Sequence, residues 1–243
     1  MEKIMKNKHL ILLVAVLFLL PGCVQSTWNS EVNYAGALKN AMINGDITPK
    51  MQLSELEGLE NLYALGAVGN LKGEIQIFNS DPVITSVEDG IIIFDDTLDK
   101  SASLIVYAQV KNWKEIVIPD EIETRTQFEE YLKKEAKKQG LDTEKPFPFL
   151  LNGNFKENDW HVIDWDSTDT IHTHEKHRES GLYGKMKNTE LEMLGFFSLY
   201  HISIFTHHTT NMHLHFKTND LNHAGHSDDF ILGKDMVLKL PSE

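Results

Sequence analysis

Only one cysteine, Cys23, is present among 243 residues. A single thiol can neither close an intramolecular disulfide nor build a thiolate zinc site, so any metal must be held by imidazole and carboxylate. Cations are scarce as well: 23 Lys and Arg stand against 36 Asp and Glu, a formal net charge of −13. A surface of that sign repels phosphate backbones, which argues against a nucleic-acid partner. The longest apolar run, Leu10–Leu20, has 11 residues, too few for a comfortable membrane span. No internal repeat or low-complexity linker interrupts the chain. A hydrophobic fraction of 41% is an ordinary globular value, and the length suits a single domain. The surplus is in histidine. Eleven of the 12 lie between His161 and His226.

Lys3, Lys6 and Lys8 precede that apolar run, and Pro21-Gly22-Cys23 follows it. A basic start and a short apolar core fit a secretory signal. The ending Leu20-Pro21-Gly22-Cys23 resembles a bacterial lipobox, in which the cysteine becomes the lipidated N-terminus. The expected organisation is therefore a lipoprotein-type signal peptide over 1–22, a polar tether over 23–33 and one folded domain over 34–243. Lipidation at Cys23 would place the protein outside the cytoplasm, anchored to a bacterial membrane but folded in water. A secreted form is the alternative if Cys23 is not lipidated. Removing Glu2 and the three lysines with the signal takes the formal charge from −13 to −15.

Within the domain, Ala37, Leu38, Ala41 and Met42 share a helical face, closed by the turn Asn44-Gly45-Asp46. Thr48-Pro49 reads as an N-cap with proline at the first helical position, opening a short helix through Leu53 and Leu56. Strand patterns begin at Gly66 and include Glu74–Phe78, Gly90–Phe94 and Leu104–Val110. A helix is expected over about 126–139, with Thr126 and Glu129 as a capping box and Phe128, Leu132 and Ala136 as its buried stripe. Glu129/Lys133 and Glu130/Lys134 would pair on its solvated side. Strands resume at Phe147–Leu151, Met193–Tyr200, Met212–Phe216 and Met236–Leu240. The expected class is α+β: a sheet-dominated single domain of mixed or antiparallel strands with a few flanking helices. Its sheet edges and apolar strands need covering, which leaves a homodimer open.

Met212-His213-Leu214-His215-Phe216 alternates strictly, sending both histidines to one face of a strand. Two imidazoles at that spacing can share one ion through Zn–N bonds of ~2.0–2.1 Å. A hairpin over the turn-rich stretch Lys217–Gly225 would add His226 and leave positions open for water or substrate, as a catalytic metal requires. The bland alternative is an amphipathic strand whose histidine face is merely wet. His172, His174 and His177 form a competing cluster in a polar stretch expected to be a solvated loop. His207 and His208 are read as loop residues, and His223 as a weak fourth candidate.

Taken in order, these motifs resemble the α-acetolactate decarboxylase family. Met212–Phe216 with Ala224-Gly225-His226 is similar to the family's H-L-H-F and G-G-H zinc motifs. Leu65-Gly66 with Asn70–Glu74 resembles its L-G-x-x-x-x-L-x-G-E segment, and Tyr34–Asp46 its opening helix and turn. Leu151–Lys156 resembles its G-x-F-K strand turn, and Leu194-Gly195-Phe196-Phe197 its I-G-F-Y strand. The resemblance implies the family's fold, and a metal-dependent lyase converting 2-acetolactate, a 2-hydroxy-3-oxo acid, to acetoin and carbon dioxide. It further implies Zn²⁺, or another divalent transition metal, on His213, His215 and His226, with Glu74 as proton donor.

The sequence departs from that pattern at three places. His161 stands where the family has an arginine; an imidazole is shorter, lacks the fork of donors and is ordinarily neutral at pH 7. The family's further glutamate near the C-terminus finds no matching position, and the segment between His226 and the last strand is shorter. These departures keep a second reading in play: a non-catalytic metal-binding lipoprotein on a degenerate decarboxylase scaffold.

Overall fold

Each half of the chain builds its own sheet. The computed structural model describes residues 31–242; the expected signal peptide, Cys23 and most of the tether lie outside them. The first half contains β1 (Asn33–Ala35), α1 (Leu38–Asn44), β2 (Met51–Gln52), β3 (Leu62–Val68), β4 (Glu74–Phe78), β5 (Asp81–Glu88), β6 (Ile91–Asp95) and β7 (Ser101–Gln109). These strands pair in the order β1-β7-β3-β4-β5-β6, with β2 also on β7. The second half contains β8 (Asn112–Val117), α2 (Arg125–Lys138), β9 (Phe147–Val162), α3 (His174–Glu179), β10 (Leu182–Phe197), β11 (Met212–Thr218), β12 (Ala224–Ile231) and β13 (Val237–Ser242). All pairings within the two sheets are antiparallel.

In the second sheet β10 pairs with β11, β11 with β12, β12 with β9, and β9 again with β10, so four strands close a ring. Ring closure removes sheet edges and forces the strands to twist and bend. It also explains why β9 and β10 run 16 residues each, much longer than their apolar cores suggest. The Leu151–Lys156 segment, expected to turn, lies in the middle of β9; Asn154 and Gly153 pair across to Glu190 and Leu191 instead. The ladder's backbone hydrogen bonds override the turn-like composition there.

The two sheets meet face to face. On β4, Glu74, Gln76 and Phe78 alternate with Ile75 and Ile77. Ile75 and Ile77 pack outward under Leu53 and Leu56, while Phe78 joins Leu65 and Val106 against Leu150, Leu194 and Phe196 of the second sheet. The opposite face of the second sheet is covered by α2, whose Phe128, Leu132 and Ala136 are fully buried against it, as the helical stripe predicted.

Several local expectations are corrected. No helix starts at Thr48: its backbone N–H and hydroxyl both donate to Asp46 Oδ1, forming a turn, and a single 3-10 turn follows at Leu53–Leu56. The capping box of α2 is Thr124 with Gln127, two residues earlier than expected. Glu129 accepts hydrogen bonds from Thr210 Oγ1 and from Asn211 rather than pairing with Lys133, so it anchors the β10–β11 loop. The His172–His177 stretch is not a loop throughout, since α3 forms there with Thr173 as its N-cap.

Candidate metal centre

The histidine site is built by register. On β11, His215 lies directly opposite His226 of β12, and His226 in turn lies opposite His161 of β9. Directly paired residues in an antiparallel ladder share a face, so the three imidazoles stand in a row across three strands. His213 joins them from two residues along β11. Ring centroids lie 5.0 Å apart for His213–His215, 5.1 Å for His213–His226 and 5.2 Å for His215–His226. The wet-face alternative is excluded, because His215 is fully buried and His213 is 7% exposed.

Across from this row stands Glu74, the first residue of β4. Gly73 before it has φ +143°, and a Cβ there would sit 2.0 Å from Thr85 O, so only glycine lets the chain enter β4 this close to β5. Glu74 Oε2 lies 3.7 Å from His215 Nε2, and Oε1 lies 3.6 Å from His161 Nε2. The Ile163 backbone N–H donates to Oε1 at 3.2 Å. Burial pushes the carboxyl up to about 7, although His161 and the Ile163 hydrogen bond pull the other way. A carboxyl group near 7 can hold a proton and release it at neutral pH.

The three histidines fit a metal ion. Burial holds His213 down to about 3 and His215 and His226 well below their ordinary value, so all three are neutral and offer lone pairs. His215 Nδ1–H donates to Gln76 Oε1 at 3.0 Å, which leaves its Nε2 unprotonated. That Nε2 faces His213 Nε2 at 3.3 Å. A tetrahedral zinc with bonds of ~2.0–2.1 Å spaces adjacent ligand atoms by roughly 3.3–3.4 Å. His226 brings a third ligand nitrogen within 4.8 Å of the other two.

His161 occupies this site, and its surroundings favour the protonated ring more than water does. Burial pulls its pKa down, yet the hydrogen bond and charge of Asp228, with the charge of Glu74, outweigh that and raise it. Its Nδ1–H donates to both Asp228 carboxylate oxygens at 3.0 Å. The imidazole thus keeps a positive charge to higher pH than a free histidine. Asp228 reaches it because a β-bulge falls between Ser227 and Asp229, re-aiming the intervening residue. Asp228 also accepts from Arg178 Nε at 3.2 Å, and its backbone carbonyl accepts from Arg125 at 3.0 Å. Both arginines line a cavity of about 410 Å³ together with Glu74, His161, His213 and His226.

Gln76 and Asp228 were not identified from the sequence. Glu74-x-Gln76 is a period-two signal on a strand, and His226-x-Asp228 is another, but each gains meaning only beside a strand distant in sequence. His223, the weak fourth candidate, packs edge-on against Trp160 at 5.4 Å and stays away from the triad.

No protein-family model and no curated protein matches this chain. Solved structures do. An acetolactate decarboxylase from Bacillus subtilis subspecies spizizenii superposes with a TM-score of 0.69 at 16% identity, covering 88% of this chain and 87% of that one. The α-acetolactate decarboxylase of Bacillus subtilis strain 168 gives 0.66 at 16% identity, over 88% and 86%. A Staphylococcus aureus protein described as similar to α-acetolactate decarboxylase gives 0.67 at 16% identity, over 87% and 85%. Along nearly its whole described length, this chain has the fold of the acetolactate decarboxylases.

Proposed function

We propose that this protein is a divergent acetolactate decarboxylase, a metal-dependent carboxy-lyase that converts 2-acetolactate or a closely related 2-hydroxy-3-oxo acid to the hydroxyketone and carbon dioxide. The observation that carries the reading is the spacing at the buried end of the cavity: two imidazole Nε2 atoms 3.3 Å apart, with a protonatable carboxyl group 3.7 Å from one of them. His213, His215 and His226 would hold the metal, with zinc the best match to three imidazoles and other divalent transition metals close behind. Bound there, a divalent ion would supply Lewis acidity to the neighbouring hydroxyl and carbonyl oxygens of the substrate.

The remaining work falls to the chain. Breaking the bond between the carboxylate and the hydroxyl-bearing carbon leaves that electron pair delocalised toward the adjacent carbonyl, and the carbon then needs a proton. Glu74 holds one where burial has raised its pKa, and it delivers that proton to one face. His161, whose protonated form Asp228 favours, has its Nε2 3.6 Å from Glu74 Oε1 and in that form stabilises the carboxylate left behind. Arg178, tethered to the same Asp228, adds a cationic group for the substrate carboxylate. Together the two groups stand in for the arginine that the family motif places at His161.

The test is acetoin formation from racemic 2-acetolactate by zinc-loaded protein, with Glu74→Gln as control. Acetoin is expected above the spontaneous rate and is expected to fall by about 10²–10⁴ in the variant with metal content unchanged. Fully metallated wild type making no acetoin above background would refute the decarboxylase reading. Export and anchoring through Cys23 form a separate part of the proposal, checked by metabolic labelling with a fatty acid and its loss in Cys23→Ser.

A further inference from the structure

A second histidine cluster lies on the same cavity. His174 starts α3, and His207 and His208 belong to the loop between β10 and β11. Their ring centroids are 3.8 Å apart for His174–His207, 4.1 Å for His207–His208 and 5.1 Å for His174–His208. One ligand nitrogen from each lies within 4.8 Å of the other two. His174 and His208 are exposed and His207 is half-buried, the reverse of the buried triad. Among the described residues no side chain hydrogen-bonds to His174 or His208. His207 Nδ1 accepts from the Thr209 backbone N–H at 3.2 Å and lies 2.7 Å from Thr209 Oγ1.

Three imidazoles packed at these distances, with no carboxylate between them, need something to share. Two protonated rings would repel each other, and none of the three pairs is joined by a ring hydrogen bond. A metal ion resolves the arrangement by accepting a lone pair from each. Exposed side chains can close the remaining distance by rotating. The acidic chain, at −13, raises the local concentration of cations around an exposed site.

We propose that His174, His207 and His208 form a second metal site on the rim of the cavity, taking a divalent transition metal of the zinc class and bridging α3 to the β10–β11 loop. The site is independent of the buried triad. All three donors are imidazole nitrogens, so Zn²⁺, Ni²⁺ or Cu²⁺ suits it and Mg²⁺ does not. A bridge there ties together two chain segments that enclose part of the cavity.

The test is calorimetric titration of the metal-stripped full-length protein with Zn²⁺ at pH 7. Wild type should bind two ions per chain, and the pair His174→Ala with His208→Ala should bind one. Both residues are exposed, so an unchanged melting profile of metal-free protein confirms that the fold survives. A rim variant that binds as many ions as wild type would overturn the proposal. A His213→Ala and His215→Ala variant separates the two readings. If it binds as many ions as wild type while the rim variant loses one, the buried-site assignment fails and the rim site stands.

Discussion

Gly195 offers the sharpest test of the packing beneath the metal centre. It lies on β10 opposite Phe149 of β9 and Leu214 of β11. A Cβ at this position would lie 2.2, 2.5 and 2.7 Å from three carbons of the Phe149 ring. Ordinary carbon contacts are about 3.5–4.0 Å, so the ring would have to retreat by roughly 1 Å or more. It has no room to do so, because Phe149 is fully buried and Phe128 of α2 packs on it at 5.7 Å. Forcing one methyl into such a core costs about 1–3 kcal/mol, which for a domain of this size lowers Tm by roughly 2–12 °C. Urea unfolding of Gly195→Ala should therefore show a lower midpoint with an unchanged slope. The clash should be relieved by Phe149→Leu, so the double variant should be more stable than the two single losses predict, by about 0.5–3 kcal/mol. A Gly195→Ala protein within about 0.5 kcal/mol of wild type would refute the reasoning. The candidate metal ligands lie on the neighbouring strand β11 and on the other face of the sheet, with His215 opposite Leu194 and His213 opposite Phe196, so stability should respond before metal binding does.

Other outcomes follow from the same structure. Gln76→Leu removes the acceptor that sets the His215 tautomer, and zinc affinity at the buried site should fall about 10–100-fold by competition with a chelator. Thr124→Ala should cost about 1 kcal/mol in thermal unfolding and Thr126→Ala close to nothing, because Thr124 accepts the Gln127 N–H in the observed cap. His177 packs on Trp165, and burial, followed by the neighbouring His172, holds its pKa down to about 4. The unfolded chain therefore takes up a proton that the folded chain refuses. Stability of the metal-free protein should be unaffected by this group above pH 6.5 and fall as pH drops from about 6.5 toward 4, with a shallower fall in His177→Phe.

The parts of the site legible in the sequence were those written within one strand. Strict alternation in Met212–Phe216 put His213 and His215 on one face whatever the surrounding fold, because side-chain direction along a strand has a period of two. Gly73-Glu74 and Leu194-Gly195 stood out through their resemblance to a family pattern. The structure supplies their physical reasons, the approach of Thr85 O to Gly73 and of the Phe149 ring to Gly195. The full length of β9 and β10 was hidden because Asn152-Gly153-Asn154 and Lys187-Asn188-Thr189 have turn composition, and only the long ladder between them carries each strand through, past an Asn188 at φ +49°.

The environment of His161 was likewise beyond the sequence. An isolated histidine in an arginine's place reads as a lost cation, yet a bulge in β12 aims Asp228 at its ring, which favours the protonated form. By itself, then, the sequence determined the acidic balance, the helix of the buried stripe, the class of fold and the imidazole pair. Tertiary structure alone decided which distant groups would meet: Gln76 behind His215, Asp228 behind His161, and His174 against His207 and His208. Local propensity and periodicity act over a few residues. The register of paired strands is set by how the whole ring closes, and that register puts His215, His226 and His161 in one row.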